Sequence, residues 1–250
     1  MSLPPTPLSL TGRLFRLGRQ WVSTPSTRKL FYRIRYGPCG LALVPWHPIP
    51  GWTTREEAAA LAEASYRLPQ DAVIVEVGSF LGKSSVVLAG ARRLKGSGRL
   101  HCIDPFDGSG DAPSRSSYEA IASQSPRSLR ERFDANIAHA GLQGWIMTHA
   151  GTAEAIAPSW TTPIDLLFLD GDQSPGGARS AFEAFVPHLR KGGMVALHNS
   201  SDRAYAAGHD GYRRLVIESL LLPEWTDVYC VDSTTFARKL SPLSVLPSPR

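Results

Sequence analysis

The sequence predicts an α/β fold: a doubly wound, mostly parallel sheet with a C-terminal antiparallel edge hairpin and an N-terminal basic arm. Three observations carry this prediction. The apolar run Ala72-Val-Ile-Val-Glu-Val77 breaks at Gly78 into a short turn closed by Gly82, after which an apolar helical pattern begins. Further apolar runs follow, with helical patterns filling most of the intervals, and these runs end in polar residues. Strands regularly separated by helices require right-handed crossovers, and therefore a parallel sheet covered on both faces.

Residues 1–50 read as a basic, aromatic arm and Pro-rich linker, residues 51–240 as one domain, and residues 241–250 as a flexible tail. Within the linker, Pro45-Trp-His-Pro-Ile-Pro-Gly-Trp52 is expected to be extended and rigid, because proline fixes φ and biases its predecessor away from helix. Thr54 is placed to cap a helix whose first turn carries Glu56 and Glu57, where the macrodipole favours negative charge. Strands are expected near 72–77, 99–104, 145–149, 164–170 and 193–198, and helices near 83–94, 128–140, 176–190 and 211–221. The last two strands, near 226–231 and 234–238, are divided only by Asp232-Ser233, which implies a hairpin. Residues 107–127, rich in Gly, Ser and Pro, read either as a mobile lid or as a surface insertion. The loop Tyr205-Ala-Ala-Gly-His-Asp-Gly211 likewise closes over a ligand or merely connects, and holds His209 and Asp210 as further candidates.

The glycine turn points to a cofactor site, since glycine permits close backbone approach and positive φ. Two familiar loops are excluded by counting. The dinucleotide fingerprint G-x-G-x-x-G requires glycine where Phe80 stands. The triphosphate loop G-x-x-x-x-G-K-[ST] matches Gly82-Lys83-Ser84, but only three residues separate its glycines here, which would redirect the amides that wrap phosphate.

Residues 1–55 hold eight cations and no acid, so the formal charge of +5 belongs to the front segment. Arg13, Arg16, Arg19, Lys29, Arg33 and Arg35 alternate there with Leu14, Phe15, Trp21, Leu30, Phe31 and Ile34. Such a stretch fits an arm packed on the domain or on another subunit of a homo-oligomer, peripheral membrane contact through residues 1–45, or a targeting peptide. Nucleic acid is not expected as a partner, because the remainder of the chain is mildly acidic. No apolar run reaches transmembrane length. Cys39, Cys102 and Cys230 follow no metal or disulfide spacing, which favours a reducing, cytoplasmic interior, with peripheral membrane as the alternative.

In a doubly wound sheet the ligand lies beyond the carboxyl ends of the strands. Those ends carry Glu76, Asp104, Asp170 with Asp172, and His198-Asn199. Together with Val73-Ile-Val-Glu-Val-Gly-Ser-Phe-Leu-Gly-Lys-Ser84, Gly98-Arg-Leu-His-Cys-Ile-Asp-Pro-Phe106, Ile164-Asp-Leu-Leu-Phe-Leu-Asp-Gly-Asp172 and Leu189-Arg-Lys-Gly-Gly-Met-Val-Ala-Leu-His198, this order resembles a class I S-adenosylmethionine-dependent methyltransferase. The resemblance spans roughly residues 51 to 240 and is to the small-molecule O-methyltransferase branch, related to cephalosporin and macrolide tailoring enzymes.

That resemblance implies a Rossmann-like fold, S-adenosylmethionine as cofactor and a small-molecule acceptor bearing a hydroxyl. The turn from Gly78 through Ser79 to Gly82 would pass beneath the methionine part, with Glu76 close to its amino group directly or through water. Asp104 would hold the ribose diol, since a carboxylate accepts one hydrogen bond on each oxygen. Gly151 and Thr152 would lie near the adenine, and Asp170 near the sulfonium. Related enzymes carry histidine after the Asp-Gly-Asp end and a carboxylate beside the fifth strand; here Gln173 and Asn199 stand there. Asp170 and Asn199 are thus the candidate ligands of a weakly held Mg2+, and His198 the substitute base. The rival implication is a degenerate relative that binds cofactor without transfer and serves as an interaction module.

Overall fold

The computed structural model describes residues 24–240; the expected tail and the first part of the arm lie outside the described residues. Helix α1 (Pro25–Tyr36) and α2 (Arg55–Arg67) precede the alternating region. That region runs β1 (Val73–Val77), α3 (Lys83–Lys95), β2 (Arg99–Asp104), α4 (Ala112–Ala122), α5 (Leu129–His139) and β3 (Ile146–Ala150). It continues with α6 (Ala153–Ile156), β4 (Ile164–Leu169), α7 (Pro175–Phe185), β5 (Leu189–Leu197), α8 (Gly211–Ser219), β6 (Trp225–Val231) and β7 (Thr234–Lys239).

The seven strands form one sheet in the order β3-β2-β1-β4-β5-β7-β6. The first five are mutually parallel, and β7 pairs antiparallel with both β5 and β6. Strand order reverses between β1 and β4, so a crevice opens beyond their carboxyl ends.

Alternation along the strands divides the core in two. Ile74, Leu100, Cys102, Leu166 and Phe168 face α2, α3 and α5, whereas Val75, Val77, Ile103, Leu167 and Leu169 face α7 and α8. The central strands β1 and β4 are buried on both faces because helices cover both, which explains their nearly continuous apolar runs.

The expected extended linker is instead compact. Residues 38–43 form a 3-10 helix, turns follow, and Cys39, Leu43, Trp46 and Ile49 are buried in the core beside Tyr32 of α1. The prolines still fix φ, but turns need the same φ as extended chain, and the aromatic and aliphatic residues between them find burial worth more than solvation. The 107–127 segment likewise contains α4, capped by Asp111, with Pro113 in its first turn where no amide is required. The cap expected of Thr54 is formed, and it is a full capping box, with Glu57 Oε2 accepting from the Thr54 amide at 2.7 Å.

Candidate active site

A cavity of about 340 Å³ opens at the switch point. Its walls come from the turn after β1 (Gly78, Ser79), the end of β2 (Asp104), the turn after β3 (Gly151, Thr152) and the end of β4 (Asp170, Asp172). Trp52, Phe80 and Tyr118 line it as well. The sequence-predicted residues Gly78, Ser79, Asp104, Gly151, Thr152 and Asp170 are therefore brought together, while Glu76, Gly82, His198 and Asn199 lie outside the lining.

The turn is shaped by the protein around it. Gly78 adopts φ +89, and a Cβ there would stand 2.5 Å from the backbone of Asp170 and Gly171. Gly82 adopts φ +86, with Phe133 and Ile137 of α5 at 3.1 and 3.2 Å from the position of its missing Cβ. Both glycines thus serve close packing of backbone on protein, where the sequence reading invoked packing on ligand. Phe80 sits in the left-handed region at φ 47, an uncommon conformation for a bulky residue. Its amide donates to Asp104 Oδ2 at 2.8 Å, and its ring meets Trp52 and Tyr118 at 5.6 and 5.1 Å.

Asp104 Oδ1 accepts from the Phe106 amide at 2.7 Å, so each carboxylate oxygen has one backbone donor and retains capacity for a second. Burial raises its pKa against the pull of those amides. Gly151 donates to the Asp104 carbonyl at 3.1 Å, and Thr152 caps α6.

Glu76 lies behind the cavity wall. On strand β1 it shares a face with Ile74, beneath α3, and its Oε2 accepts from Ser79, Ser85 and Cys102. The carboxyl is fully buried and burial pushes its pKa up. Glu76 is a support for Ser79 and α3, one layer behind the cavity wall.

His198 also lies outside the lining. It is buried, with Nδ1 at 2.6 Å from Asp170 Oδ1 and Nε2 at 3.6 Å from Glu57 Oε2. Burial alone would pull its pKa down, but the Asp170 charge and hydrogen bond, joined by Glu57, outweigh this and raise it to about 10. An imidazolium held between two carboxylates at neutral pH has no free lone pair with which to act as a base. Glu57, missed by the sequence reading, is the hub of this network. It also accepts from the Ser233 amide at 2.9 Å and the Thr234 hydroxyl at 3.1 Å, and burial notwithstanding, His198 and these donors hold it at about 2. Its only sequence signal was a first-turn helical acid, which an exposed cap produces equally.

Magnesium does not fit. Asp170 Oδ1 is occupied by His198 and by Gln173 Nε2 at 3.3 Å, and Asn199 turns its amide toward His209. Among the described residues no group of three His, Cys, Asp or Glu is placed to hold a metal. Of the loop candidates, His209 bridges Asp111 at 3.1 Å, and Asp210 pairs with Arg214 at 2.8 Å. The first joins the loop before α8 to the start of α4, the second lies within the first turns of α8, and both residues stand outside the cavity lining.

On the entrance side, Lys83 Nζ donates to the Ile49 carbonyl at 2.7 Å and lies over the Trp46 ring at 4.1 Å. Burial lowers its pKa to about 8. It fastens the segment that carries Pro50, Gly51, Trp52 and Thr53 over the cavity. The lining carboxylates of Asp104, Glu154, Asp170 and Asp172 face this one tethered amine, so the cavity favours a cation.

The strand order β3-β2-β1-β4-β5-β7-β6, with β7 antiparallel between β5 and β6 and the cavity at the switch point, is that of a Rossmann-like methyltransferase fold. A family model described as a methyltransferase domain matches residues 75–200, and the chain belongs to that family. Solved structures with the same fold are more distant. The O-methyltransferase TomG from Streptomyces achromogenes, involved in tomaymycin synthesis and solved with SAM, is similar at 22% identity and a TM-score of 0.56, over 89% of this chain and 98% of that one. A Klebsiella pneumoniae protein assigned as an O-methyltransferase is similar at 17% identity and a TM-score of 0.57, over 90% and 100%. An rRNA methylase from Streptococcus thermophilus gives 14% and 0.52, over 76% and 100%.

Proposed function

We propose that the protein is an S-adenosylmethionine-dependent O-methyltransferase acting on a small molecule. The observation that carries this reading is the convergence, within one acidic cavity, of the Gly78–Ser79 turn, Asp104 and Gly151–Thr152. S-adenosylmethionine, when bound, supplies an electrophilic methyl group on a positively charged sulfonium.

The chain's own residues would do the rest. Asp104, already oriented by the amides of Phe80 and Phe106, retains acceptor capacity on both oxygens for a pair of adjacent hydroxyls. Gly78 and Ser79 would back the methionine portion, and the Gly151–Thr152 turn the adenine. The carboxylates of Asp170 and Asp172 complement the positive sulfur, with His198 locking the first of them in place. Trp52, Phe80 and Tyr118 form an apolar roof that excludes water and holds the acceptor, so that positioning and desolvation supply the rate enhancement. Transfer without a divalent ion is the reading that Asp170 supports, because its Oδ1 already accepts from His198 and Gln173.

Calorimetry with S-adenosylmethionine tests binding, and incubation with methyl-labelled cofactor and a panel of hydroxylated metabolites, with and without EDTA, tests transfer. The reading requires both binding and EDTA-resistant labelled product. One observation favours a second reading: no histidine lines the cavity. Binding without labelled product from any acceptor would support the non-catalytic interaction module instead, and an empty calorimetric trace would remove both.

A further inference from the structure

We propose that the outer face of α1 docks the protein on an anionic lipid surface. The inner face of this helix is committed to the domain: Tyr32 is buried in the core, Tyr36 donates to Glu56, and Arg55 lies 5.9 Å from the Phe31 ring. The outer face is thereby fixed in orientation. It presents Leu30 and Ile34, one turn apart and 57% and 76% exposed, flanked by exposed Lys29, Arg33 and Arg35.

A water-facing helix seldom spends two adjacent crest positions on branched aliphatics, and the pairing of those with cations is what an acyl–headgroup boundary takes up. No carboxylate occurs in residues 1–55, and those before α1 add Arg13, Arg16 and Arg19 among Leu14, Phe15, Leu17 and Trp21. The nearby acids are engaged locally, Glu56 by Arg55 and Tyr36, and Glu63 by Cys39 and Arg67. A polyanion such as RNA would satisfy the cations but leave Leu30 and Ile34 facing water, without the aromatic platforms that single strands stack upon. Among the described residues no helix is long and apolar enough to cross a membrane, so the contact is peripheral.

The test uses the full chain in sedimentation with vesicles of phosphatidylcholine alone or mixed with phosphatidylglycerol, at low and physiological salt. Binding should require phosphatidylglycerol and weaken with salt. Each near-surface cation contributes about a fivefold factor, so K29E/R33E should bind at least tenfold more weakly. L30S/I34S should also lose about tenfold or more, with unchanged melting for both variants because all four sites are exposed. Failure to sediment, or binding that neither pair of substitutions alters, overturns the proposal. So does an outcome in which an RNA oligomer, but not vesicles, is bound in a manner sensitive to K29E/R33E. None of these results depends on cofactor binding or methyl transfer.

Discussion

Asp104 shows how much one side chain can be asked to do. Its two oxygens fix the Phe80 and Phe106 amides and thereby the shape of the turn that the cofactor would rest on. In Asp104→Asn the new NH2 would oppose one backbone donor, so both the turn and the diol contact suffer. A charge-assisted hydrogen bond contributes roughly 1.5–3 kcal/mol, and calorimetry should find S-adenosylmethionine bound ~10–100-fold more weakly. Gly78 makes a complementary prediction. In Gly78→Ala the methyl meets the Asp170–Gly171 backbone at 2.5 Å and the residue is held at φ +89. Strain and overpacking together should cost about 2–5 kcal/mol, read as a lowered urea midpoint.

The strands and most flanking helices were legible because their apolar periods are unbroken, and only boundaries moved: β5 begins at Leu189, ahead of the expected 193, through Lys191-Gly-Gly. Elements lacking such a period were not read. Helix α1 scatters its apolar residues among cations, although Thr24 followed by Pro25 was a readable start signal. Helix α4 has no buried residue, and its Tyr118 acts only through a roof assembled from three separate segments. The strap before α2 is fastened by Lys83, which donates to the carbonyls of Trp46 and Ile49. In Lys83→Met the stem would still pack on Trp46 while the donations to Ile49 and Trp46 are lost. Because the roof both holds the acceptor and excludes water, loosening it should raise the KM for acceptor and lower kcat, each about several-fold, which initial-rate kinetics would measure.

Across the whole molecule, the buried Glu57–His198–Asp170 array couples protonation to folding. The His198 pKa is raised from the ordinary 6.5 to about 10, so its contribution is complete below pH 6.5 and vanishes as pH climbs through about 10. Glu57 is depressed from 4.5 to about 2, so its contribution is present above pH 4.5 and is lost on acidification through about 2. Stability should therefore be greatest between roughly pH 4.5 and 6.5 as far as this array governs it. His198→Asn leaves the buried Glu57 carboxylate, and the partly exposed Asp170 beside it, without their cation and should cost about 3 kcal/mol near neutrality. Its denaturation midpoint should also lose the decline on the alkaline side that the parent shows, and an unchanged profile would refute the coupling. The sequence displayed His198 as a strand-end residue but could not reveal that it faces Glu57, since the partners converge only once β5 and α2 are packed.

Glu57 also binds Ser233 and Thr234, 176 and 177 positions further along the chain. During synthesis this array therefore waits for the β6–β7 hairpin: a ribosome-tethered chain stopped before that hairpin emerges has Asp170 and His198 on finished strands but lacks the Ser233 and Thr234 donors that hold Glu57. Nascent chains stalled on either side of that hairpin should differ sharply in their retention on immobilised S-adenosylhomocysteine.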